Sequence, residues 1–218
     1  MSEVGARALC LLVGYALGNF MTAEVVTRAL TGKPCRDLGK TGNPGMANVM
    51  ANLGFVPGIL VLIGDLAKCG LACLLAWLIA GPSIGHIAVL FGGVGATLGH
   101  DFPVWLPPGK GGKGVATSCF AMFLFSPLWG LAANVIGMLV TFATKYLCIG
   151  GAVLPASFVP FAFLFYGREA GVISILVAVL CFWKHWPAIR TIPAGTCEKT
   201  DVLAALQKFV ASKRKSEK

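Results

Sequence analysis

LGFVPGILVLIGDLAKCGLACLLAWLIAG, residues 53–81, carries only two charges along its whole length. A helix needs roughly 20 largely apolar residues to cross a bilayer, and this run exceeds that. Its charges, Asp65 and Lys68, stand three residues apart. On a helix they share a face, where each neutralises the other inside hydrocarbon. Such a run predicts a membrane span.

Further runs extend the pattern in both directions. Residues 6–27 precede it, and 83–99 follow. Residues 115–144 are too long for one comfortable helix and contain Ser126-Pro127 near the middle, so they divide into two short spans. Residues 147–166 and 169–185 complete a set of seven. Across all 218 residues, 56% are apolar and 12% charged, against about 25% charged in soluble domains. The expected fold is an all-α, polytopic membrane protein of about seven transmembrane helices. The run after Arg7 has no clear small-residue cleavage site and reads as a retained span.

The net charge of +9 would raise the question of nucleic acid in a soluble chain. Here the basic residues gather in the gaps between apolar runs, which excludes that reading. With the N-terminus outside and the C-terminus inside, all of them except Arg7, Arg168 and the intramembrane Lys68 fall on the cytoplasmic side. Residues 1–199 then form one membrane domain, and 200–218 a basic amphipathic tail. In that tail Val202, Leu203, Leu206, Phe209 and Val210 fall at helical spacing before Lys213-Arg214-Lys215, as in a helix lying on an anionic leaflet. A solvated basic tail fits the same residues. The eight cysteines show no CxxC or zinc spacing and read as small apolar fillers.

This topology puts three loops on one face: KTGNPGMAN (40–48), GHDFPVWLPPGKGGKGVATS (99–118) and KHWPAIRTIPAGTCE (184–198). Glycines can turn successive backbone N–H groups to one side, making a nest for an anion, and a nearby ammonium adds net charge. Phosphate is the natural guest. A Walker loop is excluded, since Val115 stands where lysine would follow Gly114. A dinucleotide fingerprint is also excluded, because Leu98 takes the place of the last glycine after Gly93-Val94-Gly95. Glycine and lysine also suit an ordinary juxtamembrane loop. A small anion transporter is a third reading, opposed by the lack of any matching repeat in the second half.

The central loop resembles the motif GHxFPxxxxFKGGKGVAT of the bacterial acyl-phosphate:glycerol-3-phosphate acyltransferases, the PlsY family. The shared residues run from Gly99, His100, Phe102 and Pro103 through Lys110, Gly111, Gly112, Lys113 and Gly114 to Thr117. The first loop is similar to the family's GSGNPGATNVLRTLG through Gly42, Asn43, Pro44, Gly45 and Asn48. The third echoes HRxNIxRLxxGTE through His185, Ile189, Gly195 and Thr196.

The resemblance implies transfer of a fatty acyl group from acyl phosphate to sn-glycerol 3-phosphate in a bacterial plasma membrane, with no metal or dissociable cofactor. The partners it implies are those two substrates and the lipid bilayer. It marks Lys113, Lys110, Gly111, Gly112 and Gly114 as phosphate-binding, with Thr41, Asn48 and Arg190 as further substrate contacts. His185 is the candidate for steering or accepting the acceptor's proton. Several polar family positions differ: Ala47, Ala51, Ala188, Thr191 and Cys197 stand where the family has Thr, Arg, Asn, Arg and Glu. A family serine pair appears as Cys148 and Gly151. These departures keep open a relative with an altered acceptor or lost activity.

Overall fold

A computed structural model describes residues 1–200, and every regular element among them is helical. The tail from residue 201 onward lies outside the described residues. In chain order the elements are α1 (Glu3–Gly18), α2 (Thr22–Thr31), a 3-10 turn (Cys35–Asp37), α3 (Met46–Leu53), α4 (Phe55–Ile84), α5 (Ile87–Asp101), α6 (Val115–Phe125), α7 (Pro127–Thr144) and α8 (Leu147–Ile189). Among the described residues, four stretches are long and apolar enough to cross a membrane: Glu3–Thr31, Phe55–Ile84, Pro127–Thr144 and Leu147–Ile189. Their outer faces expose Leu60, Leu74, Leu139, Leu164 and Leu176, a belt suited to lipid rather than water.

α5 is the axis of the molecule. Its small residues let neighbouring backbones touch it on three sides. Gly14 and Gly18 of α1 lie directly against the backbone of Gly92, Gly95 and Ala96, and Gly99 against Tyr15. On its other flanks Gly92 meets Ala72 and Ala76 of α4, and Gly93 meets Ala121 of α6. Where lipid replaces water, close backbone approach is the main source of helix association. The resulting core collects Leu90, Ala96, Met122, Phe125 and Phe158 between helices.

The expected run 6–27 is broken. α1 stops at Gly18, and Asn19 takes over the end: its Nδ2 donates to Tyr15 O at 2.7 Å, while its Oδ1 accepts from Val104 N at 2.7 Å. An asparagine amide competes with the helical ladder in this way, and hydropathy alone does not reveal it. The span expected over 83–99 is displaced too. Left-handed Gly85 (φ 67°) closes α4 just past Pro82, and α5 starts at Ile87. The break at Ser126-Pro127 falls where expected, between α6 and α7.

α8 doubles back on itself. At Gly167 the backbone leaves the helix (φ 84°, ψ −174°). Gly171 then packs on Phe163, and Gly151 faces His185. Those pairs are nested about residue 167, so 147–166 and 168–189 run antiparallel. At the kinked end Arg7 Nε donates to Glu169 at 2.6 Å and Tyr166 Oη to Ser126 Oγ at 2.7 Å. The opposite end holds residues 99–114, the corner at Lys145 and the segment after α8.

Candidate active site

The end of α5 organises that opposite side. Below the loop, Lys68 Nζ lies 2.9 Å from Asp65 Oδ1 and 2.9 Å from His100 Nδ1, and donates to Phe20 O at 2.7 Å. An ammonium has only donors, so His100 Nδ1 accepts and Nε2 carries the ring hydrogen. All three side chains are buried. Lys68→Met would leave Asp65 an unpaired buried charge, which costs about 3–5 kcal/mol. The expected result is a clear drop in thermal midpoint in detergent, partly recovered in the Asp65→Leu/Lys68→Met double variant.

The central loop closes over this cluster. Gly112 N donates to His100 O at 2.9 Å, and Gly112 lies against the His100 ring. Gly111 lies against Asp101 O and Pro103. Neither position has room for a side chain. The expected nest is therefore reduced, because the Gly112 amide already serves the protein. Gly109 (φ 78°) and Gly114 (φ 65°) supply the left-handed turns, and Gly114 admits the chain to α6. The amides of Val115, Ala116 and Thr117 precede the first intrahelical donor, Ser118 N to Gly114 O at 2.9 Å. They form a positive helix end beside Lys113.

Asp101 and Lys184 join this centre without any sequence pattern that marks them. Asp101 is fully buried, with neither carboxylate oxygen hydrogen-bonded, and its oxygens stand 3.0 Å from where a Gly114 Cβ would be. Lys184 Nζ donates to Asp101 O at 3.1 Å and sits over the Phe102 ring.

Lys113 is half-buried just ahead of the start of α6. Burial pushes its ammonium below the ordinary lysine value, with the Lys184 charge adding to the shift. His185 lies in the field of both lysines. Its Nδ1 is 2.7 Å from Cys181 O, so it carries the hydrogen and Nε2 is a bare acceptor facing Gly151. Beyond α8 the chain returns as a strap: Thr200 N donates to Lys145 O at 2.8 Å, and Lys199 lies over the Tyr146 ring.

The remaining candidates stand on other segments or at the surface. Lys110 and Arg190 are exposed, Lys110 on the loop and Arg190 at the end of α8. Thr41 Oγ1 donates to Asn48 Oδ1 at 3.1 Å, and Asn48 Nδ2 to Leu38 O at 3.1 Å. Those two residues order the first loop. The structure thus gathers Lys113, Gly111, Gly112, Gly114 and His185 at one end, and Thr41 and Asn48 bond within the first loop.

Comparison with known proteins gives consistent results. A family model described as "Glycerol-3-phosphate acyltransferase" matches residues 8–195. Glycerol-3-phosphate acyltransferase 1 of Lactobacillus acidophilus is 33% identical over 208 residues, covering 95% of this chain and 98% of that one. The protein of the same name from Lactobacillus johnsonii is 35% identical, covering 91% and 94%. A crystal structure of PlsY, an integral membrane glycerol 3-phosphate acyltransferase in its glycerol 3-phosphate form, is similar with a TM-score of 0.79 at 28% identity, over 92% of this chain and 98% of that one. Its lysophosphatidic acid form gives 0.76 at 26% identity over the same shares.

Proposed function

The chain belongs to the glycerol-3-phosphate acyltransferase family, and from that premise we propose that it transfers an acyl group from acyl phosphate to the 1-hydroxyl of sn-glycerol 3-phosphate. Lysophosphatidic acid and inorganic phosphate leave, and phospholipid synthesis receives its first acylated intermediate. The donor arrives activated, so the protein has mainly to align two anions and steady the charge that develops at the carbonyl.

In this reading Lys113 and the first amides of α6 hold the donor phosphate, backed by Gly111 and Gly114. Lys110 and Arg190 draw anions in from solvent, and Thr41 and Asn48 shape the acceptor side. The glycerol hydroxyl attacks the acyl carbon while its proton passes to His185 Nε2. The carbon–oxygen bond to phosphate then breaks, and phosphate leaves toward Lys113. The observation that carries the proposal is Lys113, half-buried at a helix start, in the same charged neighbourhood as a histidine with a free acceptor nitrogen.

Seven crossings fit the antiparallel limbs of α8 together with α1, α4, α5, α6 and α7. The N-terminus then lies outside and residues 99–114 in the cytosol of a bacterium. Purified protein supplied with labelled palmitoyl phosphate and glycerol 3-phosphate should yield labelled lysophosphatidate. Hydrolysis of the donor with no transfer to glycerol 3-phosphate would instead favour a changed acceptor, as Ala51, Ala188 and Cys197 suggest.

A further inference from the structure

Two of the eight cysteines do not behave as core filler. Cys148, at the start of α8, and Cys197, on the strap, have their sulfurs 3.7 Å apart. Cys148 is buried and Cys197 is partly exposed. One helical turn past Cys148, Gly151 lies against the His185 ring and Val115, which puts the pair at the Lys113 end of the molecule. The strap also meets this corner through Thr200 N on Lys145 O and through Lys199 over Tyr146.

We propose that Cys197 and Cys148 are a peroxide-responsive pair whose disulfide pins the strap over Lys113 and closes the phosphate site. A bonded pair needs sulfurs about 2.0 Å apart, a closure within reach of side-chain rotation. Cys197, the accessible thiol, attacks hydrogen peroxide as its thiolate. The O–O bond breaks, an S–O bond forms, and the first water leaves. Cys148 then attacks the Cys197 sulfur, the S–O bond breaks, and the second water carries away the remaining thiol proton. Two thiols and one peroxide give one disulfide and two waters. Disulfides of cytosolic surfaces are typically transient and regulatory, and an exposed cysteine beside a resolving partner is the usual arrangement of a redox sensor.

Only the closing of the site rests on the acyltransfer reading; formation of the bond does not. The test uses the full-length purified protein, reduced and then treated with hydrogen peroxide before alkylation and trypsin digestion. Peptides 146–168 and 191–199, each holding one cysteine, should appear linked with the loss of two hydrogens. The link should be absent in Cys148→Ser and reversed by dithiothreitol. Acyl transfer by the wild type should fall at least tenfold on oxidation and return on reduction, while transfer by Cys148→Ser should not respond to peroxide. Unlinked peptides, or Cys197 oxidised to sulfinate without a link, would overturn the proposal. A link that leaves transfer unchanged would overturn the closure. If the link forms but reduced protein transfers no acyl group, the acyltransfer reading fails and the redox pair stands.

Discussion

His185→Ala should lower kcat for acyl transfer by about 10²–10⁴-fold, the usual worth of a positioned proton acceptor. The reason lies in which ring nitrogen is free. Cys181 O holds the hydrogen on Nδ1, leaving Nε2 as a bare lone pair against Gly151 of the facing limb, a position without a side chain. His185 is also buried between the limbs, so a structural role has to be separated from a chemical one. A chemical role leaves KM for both substrates near the wild-type values and the thermal midpoint little changed while kcat collapses. His185→Gln, which fills the space without a comparable base, should be as inactive as alanine yet melt closer to wild type. Activity within threefold of wild type in either variant would remove His185 from the mechanism.

Lys113→Ala is the second large effect. An ammonium that meets charge developing in a desolvated site contributes about 10²–10³-fold, and the loss should appear in kcat/KM for acyl phosphate. Lys113→Arg keeps the charge and should recover part of the rate. Burial favours the neutral amine, so Lys113 loses its proton at lower pH than a solvated lysine would. The wild-type rate should therefore fall as pH rises toward the ordinary lysine value, because the phosphate ligand is being discharged. In Lys113→Arg that alkaline fall should move to higher pH or vanish. An identical alkaline limb in both proteins would assign it to another group.

Hydropathy made most of the helices legible, because lipid-facing residues must be apolar whatever their neighbours. The break before Pro127 was equally readable, since proline lacks the donor that a continuing helix requires. The break at Asn19 was not, because it depends on Val104 and Trp105, which arrive much later in the chain and bond to it. The same holds for the site. The glycines and Lys113 stand in one contiguous motif and could be read there. Asp101 and Lys184 meet only through folding, and nothing in their local sequence marks them. The glycines suit anion binding by sequence, yet Gly111 and Gly112 are needed first because the turn at His100-Asp101 leaves no space for a Cβ.

The glycine flank of α1 has a consequence for biogenesis. This helix is made well before α5, but the backbone it must lie against belongs to α5, and none of that surface exists until residues 92–99 have been made. In the interval α1 sits in the bilayer as an unmatched segment, open to quality-control proteases or to a wrong neighbour. A bulky replacement at Gly14 or Gly18 would prolong that exposure indefinitely, so its mark should be low abundance of the protein in the membrane rather than a slow enzyme.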